Sequence, residues 1–421
     1  MKKDIILYIN TVPLDAIEAI KEYGRQERQK FRVFLLSDSS QRVKKQENID
    51  GIDTVLECDF KSPTRIAETL LPYQNEFLAI SCRSEKSMAE FAQVIPHVPY
   101  LRTPTSESIA WATNKLSMRK RLALFDKKIT PKFIVVSNAQ KGEQERIKRD
   151  IGFPVILKPA NLAQSLLVSI CFHEEELSST LKKTFRTIER VYAEQGRRIA
   201  PQVIAEQYME GDMYSFDGYV SSKGTVHLCP LVKVVTGRSI GFDDFFNYMH
   251  LTPAGLKKST VERAEEVARK ATHALALRST SIHIELMKID DEWKVIELGA
   301  RVGGFRHALY SLAYGINHSL NDILVRIPKR PLIPKTKKGY AVAMKFFPEK
   351  EGKLSELKGI KKIQEFRSFQ TIVVNKKVGD RCTFAKHGGM SVFNLVMFNR
   401  DRSELLADIR RVEQTVSIKT E

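Results

Sequence analysis

Two alternating apolar runs joined by an acidic triplet, SIHIELMKIDDEWKVIELGARVGG, constrain this chain more than any other segment. If the runs pair as a hairpin symmetric about Asp291, Glu285 lies directly opposite Glu297. Directly opposed residues have Cβ atoms about 5 Å apart, and two like charges there are destabilising unless something neutralises them. A divalent cation such as Mg²⁺ would do so, since it binds carboxylate oxygens together with nucleotide phosphates. The pattern favours a metal site, while two exposed acids on an edge hairpin stay open as the alternative.

The residues that follow the hairpin strengthen the metal-site interpretation. Arg301 and the Gly303-Gly304 pair come just after the second glutamate. They offer a fixed cation and a flexible backbone turn next to the two carboxylates. We therefore expect an anionic ligand to bind beside the metal.

The composition is that of an ordinary globular protein. The chain has 421 residues, of which 43% are hydrophobic and 28% charged, a length that suits about three domains. No run approaches the roughly 18 apolar residues that cross a bilayer, and the apolar stretch before Asp15 is too short for a secretion signal. Five cysteines without a CxxC pair indicate neither a disulfide framework nor a zinc site. We expect a cytoplasmic protein with reduced cysteines and no membrane association.

The net charge of +18 is the unusual bulk property, and it indicates an affinity for anions. Nucleotide phosphates, acidic metabolites and nucleic acid all fit this sign. The basic residues, however, form short scattered clusters, among them residues 44–45, 119–121 and 197–198. No nucleic-acid-binding motif accompanies them, so a solvated basic surface is favoured and nucleic acid is not the expected partner.

Strands and helices alternate over the first hundred residues. The strands are too apolar to be half exposed, which predicts a small parallel sheet covered by helices, a Rossmann-like lobe over residues 1–110. No GxGxxG follows its first strand, so no dinucleotide is assigned to it. Strands and amphipathic helices of a central unit cover residues 111–330. Beyond a Pro- and Lys-rich stretch, residues 331–421 predict a C-terminal α+β subdomain with a small sheet and a closing helix.

Three lysines occur where a polyphosphate would need them. Lys115 lies on a predicted helix, Lys158 ends an apolar strand, and Lys233 lies in PLVKVV. Lysine is a compact point charge suited to phosphate, and desolvation strengthens its effect. Each lysine alone is more often a surface residue. The ordered set is stronger, because the segment AEQYMEG, whose backbone could contact an adenine edge, lies between the second and third lysines.

With these motifs in this order, the chain resembles the ATP-grasp superfamily, in particular carboxylate–amine ligases such as bacterial L-amino acid (dipeptide) ligases and carnosine-synthase-like enzymes. The matching runs extend over roughly three hundred residues. They include NKLSMRKRLALFDKKITPKF, GFPVILKPA, VIAEQYMEGDMYSFD, LVKVV and HIELMKIDDEWKVIELGARVGG. The resemblance implies an α/β (α+β mixed) ATP-grasp fold with an N-terminal Rossmann-like pre-ATP-grasp lobe and a small C-terminal sheet subdomain. It also implies Mg²⁺ (or Mn²⁺) as the metal, and dimers are frequent among such relatives.

The resemblance assigns nucleotide contacts to residues of the central unit. Lys115 and Lys158 would contact the ATP phosphates, and Ser165 keeps the expected place in the loop that covers them. Residues 206–209 would bind adenine through one side chain and one backbone group. They are Glu206 (side chain), Gln207, Tyr208 and Met209 (backbone). Asp212 is a substitute for the acid that commonly holds the ribose hydroxyls.

The same resemblance assigns the metal and the catalytic groups. Glu285 and Glu297 would hold Mg²⁺, Arg301 would face an acyl phosphate, and Lys233 would lie near the adenine or the phosphates. In such enzymes ATP phosphorylates a carboxylate and an amine then displaces phosphate. Positioning and charge neutralisation suffice for this ADP-forming C–N ligase chemistry, so no nucleophilic side chain is needed. The expected substrates are a small carboxylate, such as an amino acid, and an amine.

Three departures from the family pattern surround the predicted nucleotide site. The loop after Lys158 reads ANLAQSLL and is poor in glycine, Met213 stands where an acid is common, and Gly299 replaces the usual asparagine after the second metal carboxylate. Water can fill a Mg²⁺ position, so loss of metal binding does not follow. The departures keep a catalytically weak or non-catalytic ATP-binding protein as the alternative. A ligase or binder acting on a large polyanion is a third hypothesis, motivated by the net charge.

Substrate specificity is expected from the loop GRSIGFDDFFNYMH. Arg238, Phe242 and His250 lie in it, at the place where related ligases recognise their substrates. His283 and His307 flank the hairpin and the Gly-Gly turn, where a histidine could act as a base on the attacking amine. Structural or solvent-facing roles are the more frequent ones for such histidines.

Overall fold

The computed structural model describes residues 3–39, 50–162, 165–196 and 199–421. Within these ranges the chain forms four sheets with helices packed on them. The basic residues 44–45 and 197–198, counted above among the scattered clusters, lie outside the described ranges. No described helix is both long and apolar enough to cross a lipid bilayer.

The N-terminal lobe is a parallel sheet covered by helices, as predicted. Its elements are β1 (Ile5–Ile9), α1 (Leu14–Gln26), β2 (Arg32–Asp38), β3 (Thr54–Cys58), α2 (Pro63–Leu70), β4 (Phe77–Ser81) and α3 (Met88–Val94). The strands are parallel and run in the order β3-β2-β1-β4. Every residue of β1 is buried, because Ile6 and Tyr8 pack towards α1 while Ile5, Leu7 and Ile9 pack towards α2 and α3.

A small antiparallel sheet with two helices follows the lobe. Its elements, after the connecting helices α4 (Ser106–Thr113) and α5 (Lys115–Phe125), are β5 (Phe133–Val136), α6 (Lys141–Asp150), β6 (Val155–Pro159), β7 (Ser169–Cys171), α7 (Glu174–Glu194) and β8 (Val203–Gln207). The strand order is β5-β8-β6-β7. The predicted amphipathic helix is α7, whose buried face includes Leu177, Leu181, Ile188 and Tyr192. This sheet carries Lys158 at the end of β6.

A long antiparallel sheet forms the centre of the molecule. The remaining elements are β9 (Asp212–Val220), β10 (Val226–Leu228), β11 (Val232–Thr236), β12 (Asn247–Thr252), α8 (Lys258–Ala274), β13 (Thr280–Ile289), β14 (Glu292–Gly299), α9 (Arg306–Tyr314), α10 (His318–Arg326), β15 (Tyr340–Phe346), β16 (Gly352–Lys358), α11 (Ile360–Ile363), β17 (Phe369–Val374), β18 (Arg381–Cys382), β19 (Phe393–Asn399), α12 (Arg402–Thr415) and β20 (Ser417–Thr420). The central sheet runs β14-β13-β9-β11-β12-β15-β19-β17, and β10 also pairs with β9.

The C-terminal strands divide between two sheets. The three strands expected to form a small separate sheet, β15, β17 and β19, extend the central sheet instead, whereas β16, β18 and β20 form a small sheet in the order β18-β16-β20. In β15, Ala343 pairs with His250 of β12, so the backbone groups of β12 do not face solvent as a bare edge. The C-terminal residues therefore contribute to the same sheet as the strands that carry Glu285 and Glu297.

The hairpin of β13 and β14 has the predicted register at the end distant from its turn, where Glu285 pairs with Glu297. The residue pairs between the turn and these glutamates differ from those of a hairpin symmetric about Asp291. The turn consists of residues 290–291, with Ile289 opposite Glu292, and the register then shifts by one residue and leaves Ile296 without a partner. Such a bulge adds one residue to one strand. The bulge therefore compensates for the shorter turn and restores the opposed glutamates.

Candidate active site

A large cleft opens between the sheet β5-β8-β6-β7 and the central sheet. The N-terminal lobe and the C-terminal strands also contribute to its walls. Its volume is about 2060 Å³. All residues that the resemblance assigned to nucleotide, metal or catalysis line this one cleft. They are Lys115, Lys158, Ser165, Glu206, Gln207, Tyr208, Met209, Asp212, Lys233, Glu285, Glu297 and Arg301. Residues distant in sequence are therefore brought together, while their individual roles remain predictions.

Each glutamate of the hairpin lies next to a nitrogen-bearing side chain. Lys115 Nζ is 3.2 Å from Glu297 Oε1, and His283 Nε2 is 3.6 Å from Glu285 Oε1. Burial alone raises the pKa of Glu285, but His283 and nearby arginines outweigh burial, so the pKa lies below its usual value. Glu285 is therefore ionised near neutral pH. The like-charge conflict of the hairpin is already relieved in part by Lys115 and His283.

The carboxylate pair fits a hard cation that completes its shell with other ligands. The described residues contain no cluster of three or more His, Cys, Asp or Glu side chains suited to a metal. Mg²⁺ commonly uses one or two carboxylates together with phosphates and waters, so Glu285 and Glu297 suffice for it. A Cβ atom at Gly299 would lie 3.5 Å from Glu85 Oε2. A carboxylate of the N-terminal lobe thus lies next to the position where the family pattern has asparagine.

Lys158 is held by a buried ion-pair network. Its Nζ lies 2.7 Å from Glu206 Oε2, and Arg119 donates to the same carboxylate from Nε at 2.8 Å and from Nη2 at 3.1 Å. Burial lowers the pKa of Lys158 to about 8, against the opposing effect of Glu206. Burial raises the pKa of Glu206, but Arg119 and Lys158 outweigh burial and bring it to about 2. Glu206 therefore orients Lys158, and its predicted contact with adenine stays a prediction.

Arg119 also joins this network to the hairpin of β13 and β14. Its Nη1 donates to the Val295 carbonyl at 2.9 Å and its Nη2 to the Ile296 carbonyl at 2.7 Å. Ile296 is the unpaired residue of the bulge, so the guanidinium holds the irregularity that places the two glutamates opposite each other. The sequence analysis counted Arg119 in a scattered basic cluster and missed this role. The available signal was its position one helical turn after Lys115 on the same helix face.

Arg301 is positioned by the N-terminal lobe. Its Nε lies 2.5 Å from Glu85 Oε2, and its Nη1 donates to the Val302 carbonyl at 3.0 Å. Burial lowers the pKa of Arg301, but Glu85 and Glu297 outweigh burial and raise it above its usual value. Arg301 is therefore a permanent cation at the cleft wall. The pairing of Glu85 with Arg301 was not predicted from the sequence, because the two residues are 216 positions apart.

Asp217 anchors the Gly303-Gly304 turn behind the cleft. Its buried carboxylate accepts from the Gly303 amide at 2.6 Å and lies 2.7 Å from His283 Nδ1 and 3.3 Å from Arg306 Nε. Burial raises the pKa of Asp217, but His283 and Arg306 outweigh burial and hold it well below its usual value. A Cβ atom at Gly303 would lie 2.4 Å from His283 Nδ1. The turn therefore requires glycine at this position.

The predicted adenine segment connects the small sheet to the central sheet. Strand β8 ends at Gln207 and β9 begins at Asp212, so residues 208–211 form a short connection at the cleft. A Cβ atom at Gly211 would lie 2.1 Å from the Lys288 carbonyl oxygen. Glycine therefore allows the connection to pass close to the hairpin backbone. This placement agrees with a segment that contacts a ligand through its backbone.

Lys233 and Asp212 lie together at one end of the cleft. Lys233 Nζ is 3.7 Å from Asp212 Oδ1, and 61% of the Asp212 side chain is exposed. Met213 is buried and has no carboxylate, whereas the Asp212 carboxylate, which lies near Lys233, is exposed at the cleft. Ser165, which was predicted to lie in the loop that covers the phosphates, is in the loop after β6 and has a left-handed φ of 60°.

The predicted specificity loop lines the cleft only in part. Arg238 and His250 belong to the wall, together with Phe245. Phe242 is not among the described residues that line the cleft, and its predicted contact with the substrate stays a prediction. Its ring packs against Phe246, with ring centroids 5.3 Å apart, because this aromatic pair belongs to the core below the C-terminal strands.

Side chains of the C-terminal strands also line the cleft, which the sequence analysis did not anticipate. Lys345 lies on β15 and Asn394 on β19, and Asn375 and Ser391 lie close by. They reach the cleft because β15 and β19 continue the central sheet. No short-range pattern in the sequence reveals this order of strands.

Known proteins resemble this chain in sequence over part of its length. Residues 151–308 match the family model of the ATP-grasp domain. Alanine–anticapsin ligase of Bacillus subtilis (strain 168) is 28% identical over 167 residues, which cover 37% of this chain and 34% of that protein. D-alanine–D-alanine ligase of Thermoanaerobacter sp. (strain X514) is 27% identical over 165 residues, or 35% of this chain and 40% of that protein. The chain thus spans less than half of the length of these curated relatives.

The likeness to solved structures extends over the whole chain. The crystal structure of L-amino acid ligase from Bacillus licheniformis has a TM-score of 0.76 at 16% identity and covers 100% of both chains. The biotin carboxylase domain of 2-oxoglutarate carboxylase from Hydrogenobacter thermophilus, in complex with MgADP, has a TM-score of 0.68 at 14% identity and covers 99% of this chain and 90% of that one. At these identities the likeness establishes the fold alone.

Proposed function

We propose that this chain, which has the ATP-grasp fold, is an ATP-dependent carboxylate–amine ligase that forms an amide bond and releases ADP and phosphate. Its substrates are a small carboxylate, such as an amino acid, and an amine. One observation carries the proposal. The opposed pair of Glu285 and Glu297 shares a single cleft with two lysines suited to phosphate and with the fixed cation of Arg301.

Nucleotide binding is assigned to the two buried lysines and the hairpin. Lys115 and Lys158 would bind the ATP phosphates, and each is paired with a glutamate that holds it in place before a ligand arrives. Charges fixed in a partly desolvated cleft act more strongly than charges in water. Glu285 and Glu297 would hold Mg²⁺, which neutralises phosphate charge when bound.

The bond changes need positioning more than a reactive side chain. A carboxylate oxygen of the first substrate attacks the γ-phosphorus of ATP, and the bond to ADP breaks. The nitrogen of the second substrate then attacks the acyl carbon, phosphate leaves, and the nitrogen loses a proton. Arg301, held by Glu85, would stabilise the negative charge that develops on the phosphoryl and acyl oxygens.

His307 suits the role of proton acceptor better than His283. Burial lowers the pKa of His283, but Asp217 outweighs burial and raises it, which makes His283 less suited to accept a proton. His307 lines the cleft, and burial lowers its pKa against the opposing effect of Asp15. A neutral imidazole at the cleft wall can accept the proton of the attacking amine.

The test is release of ADP and phosphate from ATP upon addition of a pool of amino acids, with mass spectrometry of the product. We expect pool-dependent release in the wild type and about 100-fold less in Glu297→Gln, because the variant loses a carboxylate that neutralises charge through the metal. Glu292→Gln on the same strand is the matched control, since that side chain is 74% exposed. ATP binding without pool-dependent release above that of Glu297→Gln would refute the ligase proposal.

That outcome would favour the second candidate, a catalytically weak ATP-binding protein. Gly299 and Met213 support this candidate, because each replaces a side chain that the family pattern uses at the nucleotide site. The domain boundaries after residues 110 and 330, the use of Mn²⁺, a homodimer and a cytoplasmic location all remain predictions.

A further inference from the structure

We propose that Lys345 and Asn394 form a subsite for a substrate carboxylate. The inference rests on the proposed ligase function and concerns the substrates that it accepts. The two residues face each other directly on the paired strands β15 and β19, and both line the cleft. Directly opposed side chains project from the same face of a sheet with Cβ atoms about 5 Å apart. One carboxylate can therefore contact both.

Lys345 is a partly buried cation that lacks an acidic partner. In the described ranges no salt bridge involves it, and its Nζ lies 5.5 Å from the centroid of the Phe305 ring. Burial lowers the pKa of Lys345, Arg306 lowers it further, and Glu285 opposes these effects without cancelling them. A desolvated ammonium without a counter-ion is unfavourable. Binding of an anion beside Lys345 would offset the unfavourable free energy of this desolvated charge.

Asn394 is oriented as a donor by a short relay of hydrogen bonds. Asn375 Nδ2 donates to the Ser391 carbonyl at 3.1 Å and to Ser391 Oγ at 3.2 Å. Because a carbonyl only accepts, this fixes the orientation of the Asn375 amide and makes the Ser391 hydroxyl an acceptor. The single hydroxyl hydrogen of Ser391 then goes to Asn394 Oδ1 at 2.7 Å. The Asn394 group left to meet a ligand is therefore Nδ2, a donor.

Phe305 gives the subsite an apolar wall. Its φ is 61°, a left-handed conformation that bulky residues adopt rarely. This conformation follows the turn anchored by Asp217 and places the ring 5.5 Å from Lys345 Nζ and 6.1 Å from the His250 ring. Two donors beside an apolar wall suit a carboxylate on a carbon skeleton better than a hydrated inorganic ion.

The carboxylate has two possible sources in a ligase. It belongs either to the amine substrate, where it is retained in the product, or to the acyl donor, where it is consumed. An amino acid amide lacks the carboxylate of the parent amino acid but keeps its amine. Paired measurements with the two compounds as amine substrates therefore distinguish the sources.

The first experiment measures binding and needs no turnover. Wild-type protein with ADP and Mg²⁺ is screened by thermal shift against acetate, the standard amino acids and their amides, and the affinity of each stabilising carboxylate is then measured by calorimetry. We expect Lys345→Met to weaken binding roughly tenfold to a hundredfold, as for a lost hydrogen bond to a charged group. Lys353→Met, an exposed lysine outside the cleft, is the matched control.

Variants of the neighbouring strand keep the test independent of one substitution. Asn394→Leu removes the donor and should weaken carboxylate binding several-fold, by roughly the value of one hydrogen bond. Asn394→Asp has nearly the same shape and should weaken it more, because a second carboxylate repels the ligand. Failure of every carboxylate to stabilise the wild type, or equal affinities in Lys345→Met and Lys353→Met, would overturn the subsite.

The second experiment measures KM and kcat in the ligase assay. If Lys345→Met raises KM for an amino acid as amine but not for its amide, the subsite holds the amine substrate. If it raises KM for the acyl donor with either amine, the subsite holds the acyl donor. Loss of carboxylate binding in Lys345→Met with no product from the wild type would refute the ligase and keep the subsite. Normal product formation with an unchanged KM in Lys345→Met would refute the subsite and keep the ligase.

Discussion

Replacement of Arg119 by methionine tests the network that joins Lys158 to the hairpin of β13 and β14. The Arg119 side chain is fully buried and donates to Glu206 twice and to the Val295 and Ile296 carbonyls. Methionine has a similar length but donates no hydrogen bond. Glu206 would then keep Lys158 as its cation, and two carbonyl groups would lose a donor.

The expected loss of stability follows from these contacts. Removal of one partner of a buried ion pair costs about 3–5 kcal/mol, and a lost hydrogen bond to a neutral group about 1 kcal/mol. Coupled contacts do not add fully, so we expect the free energy of unfolding to fall by about 4 kcal/mol. Lys120→Met on the same helix is the control, because Lys120 is exposed.

Urea denaturation followed by tryptophan fluorescence suits this measurement. Trp293 is buried on β14, one of the two strands of the hairpin that Arg119 holds. The double variant Arg119→Met with Glu206→Gln should lose less unfolding free energy than the sum of the losses in the two single variants. In the double variant both members of the ion pair are removed, so neither charge is left without the other. A stability of Arg119→Met within about 1 kcal/mol of Lys120→Met would contradict the assigned network.

Two further predictions concern Lys158 and the Glu85–Arg301 pair. Binding of ADP should take up protons near pH 8, since burial lowers the pKa of Lys158 to about 8 and a bound phosphate favours the charged lysine. ADP affinity should therefore fall as pH rises through 8, and calorimetry in buffers of different ionisation enthalpy should show no such uptake in Lys158→Met. Glu85→Gln should lower kcat about tenfold and leave ATP affinity unchanged, because Arg301 loses the partner that holds it. An equal loss of ATP affinity, measured by calorimetry, would contradict that role.

The sequence predicted the hairpin in part, because its apolar alternation is local. Glu285 lies opposite Glu297 as predicted, but the pairs between Leu286 and the turn are each shifted by one residue from the symmetric pairing. The bulge at Ile296 was not predictable, since one extra residue leaves the alternation on either side intact. Its stabilisation depends on Arg119, which is far away in sequence.

The residues that escaped prediction depend on long-range packing. Arg119 looks like part of a basic surface cluster until Glu206 comes to lie beside it, 87 residues further along the chain. Lys345 and Asn394 reach the cleft only because β15 and β19 extend the central sheet. Phe242 packs against the C-terminal core in the structure, because aromatic residues of a loop pack into a core as readily as they contact a ligand.

The most direct measurement of the central claim is capture of the activated carboxylate by hydroxylamine. Wild-type protein with ATP, Mg²⁺ and a panel of amino acids and small carboxylates should form a hydroxamate and ADP in equal amounts. Glu297→Gln should form neither, and Glu292→Gln should behave as the wild type. Binding of ATP without hydroxamate or carboxylate-dependent ADP from any member of the panel would contradict the account.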